Sequence, residues 1–163
     1  MDTSAATPGT ILVTREIPFP VELVWQAWTD PTQIAEWYGP MGFGVAPGSV
    51  TMEARVGGTW SATVVIPQTG DGHHFWGTVR EVLEPMRIVY SMNYADDNTL
   101  PAETAEDPNA HNITLSIQPS ENHQNHSVLT YRQDGLMMPG QVEAAGAGME
   151  SYFDSLEQFL QTR

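Results

Sequence analysis

Apolar and polar residues along this chain switch period twice. TILVTREI, residues 10–17, alternates apolar and polar positions and predicts a first strand. After Pro18-Phe19-Pro20, the residues Val21, Val24, Trp25 and Trp28 fall at i, i+3, i+4 and i+7, one apolar face of a two-turn helix with Pro20 in its first turn. Thr29-Asp30-Pro31 ends that helix and opens another over about 31–37, with Asp30 as N-cap and Pro31 at the first helical position. Ile34 and Trp37 share a face of this second helix, and Tyr38-Gly39-Pro40 stops it.

From residue 48 the period is two. Strands are predicted over 49–56 and 59–66 around Gly57-Gly58, read as a two-residue hairpin turn, then over 73–84, 86–94, 113–119 and 127–133. The segment 96–108, DDNTLPAETAEDP, carries five acids and no base and is expected to be a mobile, exposed loop. The last 25 residues return to helical spacing, with Val142, Ala145, Met149, Tyr152, Phe153, Leu156, Phe159 and Leu160 on one stripe. A stripe of that length needs a sheet to bury it. The expected fold class is therefore α+β: a curved antiparallel sheet of about seven strands wrapped around a long C-terminal helix, with two short helices after the first strand.

Composition narrows the function. At 163 residues one domain is expected, over 10–163, preceded by a frayed leader at 1–9. All basic residues are arginine, six in number, against twenty acids, for a formal charge of −14. Phosphate backbones and anionic membrane surfaces repel such a chain, so nucleic acid and membrane are not expected partners. Without cysteine there is neither a disulfide framework nor a thiolate nucleophile, and no basic, apolar leader marks a secretory signal; a cytoplasmic location is expected.

Chemical motifs are sparse. No phosphate loop, dinucleotide fingerprint or nucleophile elbow is present. His73 and His74 are strand neighbours that point to opposite faces, and His123 and His126 sit in the polar turn ENHQNH without a cysteine or helical frame. All four read as loop and strand histidines, so no metal and no cofactor is expected. Glu53, Glu81, His74 and Tyr90 are the candidates for acid–base work, and Glu53 and Arg55 read as a solvated surface pair.

Four ordered stretches carry a resemblance. They are VELVWQAWTDPTQIAEWYGP, then Glu53-Ala54-Arg55-Val56-Gly57-Gly58-Thr59-Trp60, then GTVREVLEPMRIVYS, and the terminal amphipathic helix. Over residues 10–162 the chain resembles proteins homologous to the activator of Hsp90 ATPase, within the START/Bet v 1-like (SRPBCC) superfamily. The resemblance implies a helix-grip fold with a cavity between the sheet's concave face and the long helix. Strand alternation then nominates Trp60, Phe75, Tyr90 and Met92 as lining. The terminal helix adds Met149, Tyr152, Phe153 and Leu156, while Trp37 and Phe43 would form a rim beside the glycines of GPMGFG.

The expected function is binding of a small hydrophobic or amphipathic molecule in that cavity. A polyketide cyclase- or dehydratase-like enzyme is the first alternative. An interaction module like the Hsp90 activator is the second, ranked last because the chain lacks the additional N-terminal domain of the eukaryotic activator. Exposed edge strands leave a homodimer open.

Overall fold

The computed structural model describes residues 6–163. The expected leader therefore lies mostly outside the described residues, and Thr7–Gly9 already belong to the first strand. That strand, β1 (Thr7–Ile17), buries Ile11, Val13 and Ile17. Helices α1 (Val21–Thr29) and α2 (Pro31–Trp37) follow. α1 buries Val21, Val24, Trp25 and Trp28, the face its spacing predicts. Asp30 closes α1 and caps α2, its carboxylate accepting from the Thr32 amide at 2.9 Å, with Pro31 in the first turn.

Six further strands were expected, and there are seven. β2 (Gly44–Val45) and β3 (Thr51–Met52) are two-residue pieces that share one edge of β4 (Thr59–Val65). β5 (Gly72–Leu83), β6 (Arg87–Asp96), β7 (His111–Pro119) and β8 (Ser127–Met137) complete an antiparallel sheet of order β1-β8-β7-β6-β5-β4-β2. The strand expected over 49–56 is short because residues 53–58 form a wide loop and not a two-residue hairpin. Only Gly57 takes a left-handed φ, +84°. Gly58 is needed for a different reason: a Cβ there would collide with the Glu53 carbonyl. The loop then docks on a bulge in β5 through paired Gly57–Val79 and Val79–Gly58 backbone bonds, both 2.8 Å.

The closing helix, α3 (Gln141–Thr162), buries Met149, Phe153, Leu156 and Leu160 against the sheet. Its acidic face, which looks solvated in the sequence, clamps a cation. Arg15 on β1 reaches Glu150 and Asp154 at 2.8 Å each, and its guanidinium lies 5.6 Å above the centre of the Phe153 ring. The two short helices close one end of the space between α3 and the sheet. No helix among the described residues is long and apolar enough to cross a membrane.

Candidate functional site

The space under α3 is solid, and a hollow part opens beyond its mouth, where only Gln141 of the helix reaches. The solid part is aromatic. Trp28 and Trp37 stand 4.9 Å apart, Trp60 and Tyr90 5.1 Å, and Tyr38 and Tyr152 5.0 Å, in tilted or edge-on pairs. The indole N–H groups of the three tryptophans are consumed internally. The Trp60 indole donates to the Ser91 carbonyl at 2.8 Å, Trp37 to the Ala27 carbonyl at 2.7 Å, and Trp28 to the Tyr90 hydroxyl at 3.2 Å. Only about 10 Å³ is left among Trp28, Ile34, Trp37, Tyr38, Met52, Trp60 and Tyr90, no more than a single water needs.

Burial pushes the Tyr90 phenol far above its ordinary value, so it stays protonated across the physiological range. Gly77 shows how tight this region is. A Cβ there would collide with the Ser91 carbonyl and the Trp60 indole nitrogen.

The hollow part is a cleft of about 790 Å³ at the opposite reach of β5 and β6. Its cause is a difference in pairing. β7 leaves β6 after the Met92–His111 pair, whereas β5 stays with β6 as far as Asp96. Beyond that pair one edge of β6 is open, and residues of both faces reach the cleft, Met92 and Tyr94 from one side and the buried Asn93 and Ala95 from the other. Phe75 and Trp76 of β5 do the same. Residues 99–110 form the outer wall, and Gln141, at the start of α3, also borders the space.

That wall was expected to be mobile and exposed. Much of it is exposed, but it is fastened to the sheet. Glu106 meets Arg80 at 2.6 Å and accepts from the Ser91 hydroxyl at 2.7 Å. The Trp76 indole donates to the Ala105 carbonyl at 2.9 Å, and the Asp107 amide donates to Asn93 at 2.9 Å. Burial pushes the Glu106 carboxyl up, but the Ser91 hydroxyl and the Arg80 guanidinium outweigh it and leave it below its ordinary value.

A polar chain runs along the inner wall. Tyr131 donates to Gln133 Oε1 at 2.7 Å, the Gln133 amide nitrogen lies 2.6 Å from His111 Nδ1, and His111 Nε2 lies 3.0 Å from the Leu136 carbonyl. The carbonyl can only accept, so Nε2 carries the His111 proton and Nδ1 accepts from Gln133. Gly135 makes room for the ring, since a Cβ there would strike it.

The ten residues proposed to line a cavity are therefore spread over several places. Phe75 and Met92 line the mouth cleft. Trp37, Trp60 and Tyr90 surround the closed aromatic void. Met149, Phe153 and Leu156 are buried core, and Tyr152 packs edge-on against Tyr38. Phe43 lines a separate groove of about 300 Å³ with Met41, Ser155 and Phe159.

His111, Gln133 and the loop carboxylates are not among the residues that pattern nominates, whereas Tyr94 shares the strand face of Tyr90 and Met92 and does line the cleft. His111 and Gln133 did carry a signal, since each continues the inward-facing alternation of its strand yet is polar. Among the acid–base candidates, Glu53 caps the loop before β4 by accepting from the Thr59 amide and hydroxyl at 3.1 Å each and lies 3.3 Å from Arg55. Glu81 pairs with Arg87 at 3.0 Å, and His74 bridges Thr63 and Asp97.

A curved sheet gripping a C-terminal helix, two short helices at one end and a cleft at the other define a START/Bet v 1-like protein. The chain belongs to the family described as activator of Hsp90 ATPase homolog 1-like protein, whose profile matches residues 18–161. No protein of curated function matches the sequence significantly.

Solved structures share the fold. A Chromobacterium violaceum protein is 24% identical over 91% of this chain and 95% of its own, with a TM-score of 0.73. The AHSA1 protein of Silicibacter pomeroyi is 18% identical over 94% and 99%, with a TM-score of 0.77. DynU16, of the dynemicin biosynthetic locus, is 20% identical over 94% of this chain and 47% of its own, with a TM-score of 0.67.

Proposed function

We propose that the protein binds a small amphipathic molecule, neutral or cationic, in the mouth cleft. One observation carries the reading: the cleft is lined by the aromatic and thioether groups of Phe75, Trp76, Met92 and Tyr94 together with the acidic residues Glu103, Glu106 and Asp107, with no arginine among its described walls. The apolar side supplies burial, and the side-chain amides of Gln133 and Gln141 can orient a polar tip. A ligand losing ~300 Å² of apolar surface gains ~7 kcal/mol, and association removes several of these, leaving affinity in roughly the micromolar range. An anionic ligand would meet Glu103 and Asp107, with Glu106 already paired to Arg80, and an acidic protein. Acid–base catalysis of a cyclase type has less support, because Tyr90 is sealed from the cleft and His111 already uses both ring nitrogens.

A matched pair of fluorescent probes tests this. Phenylnaphthylamine is neutral, and its sulfonate is the same scaffold with a negative charge. The neutral probe should brighten on titration with a Kd on the order of micromolar, and the sulfonate should bind at least tenfold more weakly. Equal binding, or tighter binding of the sulfonate, would overturn the charge argument. A native mass spectrum of the gently purified protein, compared with its denatured mass, would give the mass of any resident ligand directly.

A further inference from the structure

The two histidines of the β7–β8 turn do not stand alone. Folding brings Glu16, the penultimate residue of β1, to both of them. His123 Nδ1 lies 2.7 Å and His126 Nδ1 2.9 Å from the same oxygen, Glu16 Oε2. The three donor atoms all lie within 4.8 Å of one another, the one group of this kind among the described residues.

We propose that Glu16, His123 and His126 form a binding site for a borderline divalent transition metal, with zinc the natural occupant by its chemistry. Two imidazoles and one carboxylate make a nitrogen-rich set that favours zinc, nickel or copper over magnesium or calcium, which take oxygen ligands.

Several features of the turn support a built site. Ser120 donates its hydroxyl to the other oxygen of the carboxylate, Glu16 Oε1, at 3.0 Å. The same hydroxyl oxygen accepts the backbone N–H groups of Asn122 at 3.1 Å and His123 at 3.2 Å. One side chain therefore orients the carboxylate and the histidine-bearing turn together, the part an outer partner plays at a metal centre. The Ser120 amide closes the turn on the His126 carbonyl at 2.9 Å, and Asn125 adopts a left-handed φ of +64°. The two imidazoles stack at 4.8 Å and 25°, which points both Nδ1 atoms to one side.

Metal distances of about 2.0–2.2 Å in a tetrahedral arrangement set neighbouring donor atoms roughly 3.3–3.5 Å apart. The carboxylate therefore has to withdraw by about half an ångström from each imidazole, and the two Nδ1 atoms, which lie within 4.8 Å of each other, have to take up that same spacing. Each neutral ring then carries its proton on Nε2 and leaves Nδ1 free for the metal. Water would complete the shell, because His123 is exposed and the other two are half-buried. The site joins the end of β1 to a turn more than a hundred residues later, well away from the walls of the mouth cleft.

Isothermal titration of the full chain with zinc chloride at about pH 8, where imidazoles are neutral, tests the proposal. One zinc per chain should bind with a Kd on the order of micromolar, and magnesium chloride should give no binding heat. His123→Ala, His126→Ala and Glu16→Gln should each weaken zinc binding at least tenfold. His74→Gln, in the other histidine–carboxylate pair, should leave it unchanged. In a thermal scan, a hundredfold excess of zinc over its Kd should raise the wild-type Tm by roughly 5–10 °C, and the His123→Ala protein, whose altered side chain is exposed, should not respond. A Kd above about a millimolar would overturn the proposal, as would equal zinc affinity in His123→Ala and wild type; the trio would then be a proton-mediated staple only.

Discussion

The space beneath α3 and the cleft beyond its mouth use the same materials to opposite effect. At the end closed by α1 and α2, aromatic side chains meet at a tilt or edge to face and the indole N–H groups of Trp28, Trp37 and Trp60 find internal acceptors, so almost no volume is left. At the other end Phe75, Trp76 and Tyr94 are equally aromatic, yet a cleft of about 790 Å³ opens between them and residues 99–110. The difference lies in strand pairing. Where β6 has neighbours on both sides the interior is filled, and where β7 departs a loop must stand in for a strand, joined to the sheet at a few points. Aromatic richness therefore does not distinguish a pocket from a core in this fold. The end of a strand pairing does.

The comparison can be broken first at the closed end. Phe153 is fully buried there, and Phe153→Ala should cost about 3–5 kcal/mol in denaturant unfolding while changing the phenylnaphthylamine Kd less than threefold. A large loss of affinity in a folded variant would mean that the ligand reaches under the helix.

Gln133→Leu sharpens the boundary between the two ends. It removes the acceptor of the buried Tyr131 hydroxyl and the donor to His111, so about 1–3 kcal/mol of stability should be lost. Probe affinity should fall several-fold as well, because His111 loses its fixed position in the cleft wall. Unchanged affinity would take His111 out of the site.

The smallest effect concerns the loop. The Glu106 carboxyl sits below its ordinary value of 4.5, so its contribution is fully present above that pH and is lost as pH falls through the lowered value. Acid titration should release the loop in that window and change the emission of Trp76, whose indole is held by Ala105. In Glu106→Gln the change should vanish from the window below 4.5. If it persists there, another group fastens the loop.

Much of the architecture could be read from local pattern. The i, i+3, i+4, i+7 face of α1, the double role of Asp30 and the terminal stripe of α3 are consequences of helical period and capping, which act within a few residues. Alternation located the long strands but failed at residues 49–56, because Gly58 serves a close backbone approach that no spacing reveals. The site was harder to see for the same reason. Arg80 fastens Glu106 from 26 residues away and Gln133 meets His111 from 22, so both contacts exist only once the sheet has formed. Glu16 and the turn histidines are separated still further, and in sequence those histidines have no visible partner. What sequence did hold was a mismatch: polar His111 and Gln133 at positions where alternation calls for apolar side chains.

The most direct test of the account is to map the amide resonances of the isotope-labelled protein as phenylnaphthylamine is added. The account predicts that the largest shifts fall on Phe75, Met92, Tyr94, His111 and Gln133 and on the loop from residue 99 to 110, with Trp60, Met149 and Phe153 nearly still. Shifts concentrated on Trp60, Tyr90, Met149 and Phe153 would contradict it, placing the ligand within the aromatic interior beneath the helix.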